Sequence, residues 1–168
     1  MPGSGGAPEA GGGSATSCVE GDHAPGPTAA ANPFFSEHAH AYATSPTHAA
    51  GWDLDRLVSL VAQGGDRAID VGTGTGHTAV ALARRGIHTT GVDPTPAMLA
   101  EAAALAGAQG LGHLVDWVRG TAESLPLPSE AADIVTCRRA AHHFQDIRLA
   151  LGEMARVLRP GGVLAVGQ

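Results

Sequence analysis

Hydrophobic positions along the chain fall into three regimes. Through residue 31 the sequence is dominated by Gly, Pro, Ser and Ala, with Val19 as its one strongly apolar branched residue. Such a stretch buries too little to repay the entropy of ordering, so residues 1–31 are expected to form a disordered tail. From Asn32 the aromatics gather, with Phe34, Phe35 and Tyr42 in one short segment, followed by DLDRLVSLVAQ at 53–63. Leu54, Leu57, Val58 and Val61 recur there at helical spacing, and Asp53 is placed to cap the first turn. Beyond Gly64-Gly65 short branched runs alternate with helical ones, the pattern of successive βαβ units and a parallel sheet. Strands are predicted near 67–71, 87–92, 113–118, 132–137 and 162–167, and helices near 76–85, 95–107 and 146–158. The last helix places Ile147, Ala150, Leu151, Met154, Val157 and Leu158 on one face, and Arg159-Pro160-Gly161-Gly162 is expected to stop it. The fold class is therefore α/β, a Rossmann-like, mostly parallel sheet flanked by helices. One domain over 32–168 is expected, with a helical segment at 32–63 and a core at 66–168.

Composition narrows the function. Apolar residues make up 43% and aromatics only 4%, so the core must come from Val, Leu, Ile and Ala, which suits a sheet covered on both faces. The formal net charge is -6 and all ten cationic residues are arginine, scattered except for Arg84-Arg85 and Arg138-Arg139. No basic stripe follows a nucleic-acid backbone. With no lysine, neither a Walker phosphate loop nor Schiff-base chemistry is open to this chain. Cys18 and Cys137 stand far apart and form no ligand-spaced set, so no metal site is expected and a reduced, cytoplasmic setting is. No signal peptide and no apolar run of ~18 residues is present, so no membrane span is expected.

The stretch RAIDVGTGTGHTAVALARRG carries the chemistry: a strand runs into Gly72, Gly74 and Gly76 and then into a helix. Glycines permit a tight turn and a close ligand approach to the backbone. A glycine turn alone can also be a mere connection. Here Asp70 ends the strand, and His77 stands where a dinucleotide fingerprint places its third glycine. A carboxylate beside the turn repels a pyrophosphate and suits a cationic nucleoside. The second strand ends GVDPTPAML, setting Asp93 about twenty residues after the turn, where an acid accepts from ribose hydroxyls. Asp93 is also placed to cap the helix that Pro94 and Pro96 open.

Four blocks in order, AIDVGTGTGHT (68–78), GVDPTPAML (91–99), GTAESLPLP (120–128) with ADIVTCRRAAHHF (132–144), and MARVLRPGGVL (154–164), resemble the class I S-adenosylmethionine-dependent methyltransferases. Within them the chain looks like the menaquinone/ubiquinone-type C-methyltransferase branch, the type 11 methyltransferase domain. The resemblance implies S-adenosyl-L-methionine as cofactor and a small-molecule methyl acceptor. By it, Gly72, Thr73, Gly74 and Gly76 would present backbone to the methionine part, with Asp70 ordering the loop and its ammonium contacts. Asp93 and Pro94 would flank the ribose, Met98 would pack near the adenine, and Thr121, Ala122 and Glu123 would line its polar edge. Many relatives carry Asp where Thr121 stands, so a hydroxyl or an amide must replace that carboxylate.

His142 and His143 follow the fourth strand, beside the expected methyl group, as candidates for a general base or for orienting the acceptor. Either is equally suited to hydrogen-bond the loop backbone. Arg138 and Arg139 are placed to contact cofactor or acceptor, or to form a surface salt bridge. Phe34, Phe35, Tyr42 and His48 lie in the segment that folds over the cofactor as a lid in relatives, with core packing as the alternative use of the aromatics. The resemblance also implies a further helix and two more strands after Gln168. The chain thus reads as a class I fold lacking its last strands, a front portion or a chain whose exposed last strand needs a partner or a second copy. Two other readings follow: a cofactor-binding domain without catalysis, and an NAD(P)-binding oxidoreductase domain, the latter disfavoured by Asp70 and His77.

Overall fold

The computed structural model describes residues 32–46 and 51–167. The expected tail and His48 lie outside these residues. Five strands form one parallel sheet: β1 (Arg67–Val71), β2 (His88–Asp93), β3 (Val115–Arg119), β4 (Ala132–Arg138) and β5 (Leu158–Gly167). Their spatial order is β3-β2-β1-β4-β5. Chain order reverses between β1 and β4, which pair through Ala68 with Ile134 and Asp70 with Thr136. A crevice opens at the carboxyl ends of the strands at such a reversal, and ligands of open α/β sheets bind there.

Helices α1 (Pro33–Thr44), α2 (Trp52–Val61), α3 (His77–Ala83), α4 (Pro96–Ala108) and α5 (Ile147–Val157) flank the sheet. On one face Leu54, Leu57, Val58 and Val61 of α2 pack with Ala68, Leu82, Ile87 and Ile134. On the other, Ala150, Met154 and Val157 of α5 pack with Ile69, Val71, Val135 and Cys137. A fully buried Leu or Val contributes roughly 1.5–3 kcal/mol. By that measure α2 is firmly anchored, whereas α1, whose one buried side chain is Ala39, contributes little apolar burial where it rests against α4. Asn32 caps α1 by accepting from Phe34 N at 3.1 Å.

Three local expectations are corrected. Asp53 does not cap α2: the cap is Gly51, without a side-chain bond, and the Asp53 carboxylate turns to Arg138 and Arg139. The stop at 159–162 falls inside strand β5, not before it. Leu158 already pairs with Ala132, and Arg159–Gly162 bulge out opposite Asp133 before the ladder resumes at Val163 and Ile134. The Arg159 guanidinium, 2.7 Å from Asp133 Oδ1, closes this bulge. Finally, the apolar face of α5 is only half covered: Ile147 and Leu151 are exposed although they share the spacing of Ala150 and Met154.

Candidate active site

Most of the residues predicted from sequence, but not Asp70, Gly76, Phe34 or His142, line a cavity of about 340 Å³ at the strand reversal. One wall is the turn after β1. Gly72 and Thr73 both donate their amides to Val92 O, at 2.9 and 3.0 Å, and Gly74 N donates to Asp93 Oδ2 at 2.9 Å. The turn is thus stitched to the end of β2. At Gly72, with φ +68°, a Cβ would stand 2.5 Å from the Cβ of Ala140, so only glycine lets the turn approach the segment after β4. Thr73 and Gly74 line the cavity with it.

Asp70 lies behind this wall, not on it. Its side chain is 1% exposed, and its two oxygens accept from the Thr73 and Thr136 hydroxyls at 2.7 Å each. Burial pushes its carboxyl up to about 6 against the pull of those two hydroxyls. Gly76 is likewise structural: it caps α3 at φ +82°, and a Cβ there would meet the Trp117 ring at 2.6 Å.

Asp93 does not cap α4, whose cap is Thr95; it buttresses that cap and the glycine turn from the cavity wall. Oδ1 accepts from Thr95 N at 2.9 Å at the start of α4, Oδ2 takes Gly74 N, and the residue lines the cavity. Burial raises its pKa while the Thr95 and Gly74 amides draw it back down. Each carboxylate oxygen has a second lone pair, so acceptor capacity remains for hydroxyl groups.

Pro94, Met98, Thr121, Ala122 and Glu123 form the next part of the wall. Glu123 also accepts from Gln145 N at 2.7 Å, fixing the loop that follows the histidines. The loop at 120–128 is held from behind by α5, an arrangement that periodicity could not show. Arg156 forks onto both oxygens of Glu153 at 2.6 and 2.7 Å and donates to the carbonyls of Leu127 and Leu125 at 2.8 and 3.0 Å. Glu153 accepts in turn from Leu125 N at 2.8 Å.

The opposite wall comes from β4 and α1. Arg138, Arg139 and His143 line it, with Phe35 and Tyr42 above. Phe35 meets His143 edge to face at 5.0 Å and Tyr42 at 6.0 Å. Phe34 is placed outside the cavity, 49% exposed and stacked on His38, because its helix position points away from the lining residue Phe35. His142 does not line the cavity; its ring packs 3.8 Å from that of His143. Partial burial and the neighbouring His142 hold His143 below the ordinary histidine range, so at neutral pH it is uncharged and able to accept a proton. Sequence reasoning missed Asn32, Phe144 and Gln145 as lining residues. Asn32 is of a type that caps helices, a signal that could have found it; Phe144 ends the block 132–144 without being singled out, and nothing marked Gln145.

A parallel sheet reversing between β1 and β4, a glycine turn bound to an acid at the end of β2, and a cavity between them define the architecture of the class I S-adenosylmethionine-dependent methyltransferases. Residues 69–166, more than half of the chain, match the methyltransferase domain model, and the chain belongs to that family. Its cofactor is S-adenosyl-L-methionine. The uncharacterized methyltransferase YcgJ of Bacillus subtilis is 41% identical over 129 residues, 76% of this chain and 51% of that protein. The YcgJ crystal structure matches with a TM-score of 0.61 at 39% identity, covering 67% of this chain and 50% of that one. The demethylmenaquinone methyltransferase of Thermus thermophilus is 43% identical over 102 residues, 60% of this chain and 46% of that protein. The crystal structure of the [4+2]-cyclase SpnF matches with a TM-score of 0.61 at 40% identity, covering 67% of this chain and 43% of that one. The chain spans about half the length of the curated relatives it matches.

Proposed function

We propose that the chain transfers a methyl group from S-adenosyl-L-methionine to a small-molecule acceptor bound between the glycine turn and the loop after β4. The observation that carries this is the bond from Gly74 N to Asp93 Oδ2 at the lip of the cavity. It sets a bare backbone turn and a hydroxyl-accepting acid side by side, as a nucleoside joined to an amino acid requires. The residues fit the cofactor. At Gly74 a Cβ would meet nothing within 4 Å, so the backbone there is open to close approach. Asp93 accepts from the sugar hydroxyls, Met98 and Ala122 offer apolar surface to the base, and Glu123 and Thr121 offer polar edges. Gly72, Thr73 and Gly74 receive the amino-acid end.

When bound, the cofactor supplies an electrophilic methyl group, and the protein contributes alignment. His143, kept neutral, accepts the proton that a hydroxyl or carbon acceptor loses, while Phe35 and Tyr42 pack over the reacting pair and exclude water. A second reading is cofactor binding without methyl transfer; SpnF, 40% identical, is named a [4+2]-cyclase and not a methyltransferase.

Titration calorimetry of the whole chain with S-adenosylmethionine, S-adenosylhomocysteine and NAD tests the assignment. Binding of the first two and not of NAD is expected, with Asp93→Ala weakening both by about tenfold or more. Binding of NAD alone would overturn it. Methyl transfer across a panel of quinols, phenols and lipid-like acceptors then separates the two readings.

A further inference from the structure

Arg138 and Arg139 adjoin each other at the carboxyl end of β4 and both line the cavity. Both donate through Nε to one oxygen, Asp53 Oδ2, at 2.8 and 3.1 Å. Both guanidinium groups thus stand at the cavity, oriented through Nε by one carboxylate oxygen. The Arg138 side chain is 5% exposed and that of Arg139 29%, so water screens the pair little. Asp53 is held well below the usual carboxylate range, chiefly by its bond to Arg138, and stays charged throughout the working pH range.

The backbone here is bent for a purpose. Arg139 has φ 55°, a left-handed conformation that a residue with a side chain adopts only where its surroundings enforce it. Its amide donates to Gly167 O at 2.8 Å, the last rung beside β5. The turn lets two adjacent arginines, which would face opposite sides of a regular strand, reach the same carboxylate.

We propose that Arg138 and Arg139, oriented by Asp53, form a carboxylate-binding corner of the cavity. This rests on the cofactor reading above, because the amino-acid end of S-adenosylmethionine carries one carboxylate. A planar, forked guanidinium matches that group in shape as well as charge. Asp70, buried behind the glycine turn, feels the Arg138 charge, which sets the arginines close to that turn. Asp53 is a positioning residue: it touches neither ligand nor cavity, and it fastens α2 to both arginines. An acidic acceptor is the other source of the same chemistry.

Calorimetry on the whole chain separates the sources. The probes are S-adenosylhomocysteine, its decarboxylated analogue, which keeps the nucleoside, thioether and amine, and benzoate added to the chain saturated with S-adenosylhomocysteine. For the cofactor's carboxylate, the decarboxylated analogue binds about tenfold or more weakly, and Arg139→Gln weakens S-adenosylhomocysteine alone, erasing the difference. For an acceptor's carboxylate, the two nucleosides bind alike, and benzoate binds the saturated chain but not its Arg139→Gln variant. The comparison on the unmodified chain needs no variant to fold, and retained binding of the decarboxylated analogue reports an intact pocket in Arg139→Gln. Asp53→Asn should reproduce the Arg139→Gln effect in part and Asp53→Glu should restore it. Equal binding of both nucleosides with no benzoate bound overturns the corner alone. Failure to bind either nucleoside overturns the cofactor reading, and the corner with it.

Discussion

Asp70 shows how a single side chain can work against the stability of the domain that holds it. Its carboxyl is pushed up to about 6 by burial, above the value near 4 of an unfolded chain. A raised carboxyl pKa means that the folded state holds the proton more tightly. Its contribution to stability is therefore complete below about pH 4 and is lost as pH rises through about 6. Asp70→Asn keeps an oxygen for one threonine hydroxyl and an amide for the other. Urea unfolding should show it more stable than the parent chain at pH 7, by on the order of 2 kcal/mol, with the gain shrinking toward pH 4. An unchanged pH profile would show that the charge is not penalised. The sequence made Asp70 legible as an acid beside a glycine turn, because a motif fixes spacing. It could not show that Thr73 and Thr136 close over the carboxylate, since Thr136 is 66 residues away and reaches it only through strand pairing. Asp53 was misread for the same reason: a cap is a local pattern, and the arginines that claim its carboxylate lie 85 and 86 residues on.

At the level of elements, the order of strands and helices follows from periodicity, and most boundaries fall within two residues of expectation. The start of β5 does not, because Pro160 and Gly161 were read as ending a helix, whereas the strand absorbs them in a bulge braced by Arg159 and Asp133. The loop at 120–128 is where sequence said least and packing says most. Arg156 and Glu153 bind its backbone at three points, so removing the guanidinium strands the Leu125 and Leu127 carbonyls and leaves Glu153 uncompensated. Arg156→Met should lower unfolding stability by about 2 kcal/mol and weaken S-adenosylhomocysteine binding, because Thr121, Ala122 and Glu123 line the cavity from that loop. Denaturant titration and calorimetry on the same preparation check both parts. A loss of stability with unaltered binding would show that the loop keeps its shape without α5. Gly91 adds a constraint of the same kind: a Cβ there would lie 2.6 Å from the Trp117 ring, so β2 and β3 are matched by the absence of one carbon.

For the whole molecule the sheet is asymmetric. Among the described residues β5 pairs with β4 alone, and Leu164 and Val166 on it are 38% and 47% exposed. Ile147, Leu149 and Leu151 of α5 add exposed apolar surface. An apolar strand with free backbone groups is a template for another chain. The 168-residue chain is expected to self-associate with rising concentration, and Val166→Lys to suppress this, as sedimentation velocity would measure. A monodisperse parent chain at high concentration would contradict it. The expectation of an apolar last strand came directly from GVLAVG, but how much of it lies open depends on what packs beside it, which no local pattern records. The cavity is asymmetric as well. One wall hangs from β1 and β2, tied into a unit by the Val92 carbonyl and the Asp93 carboxylate, and the other hangs from β4 and α1. Substitutions in α1 reshape the second side without touching the bonds that tie the first. Such a scaffold can trade one reaction for another over generations while its grip on a common reagent is inherited unchanged.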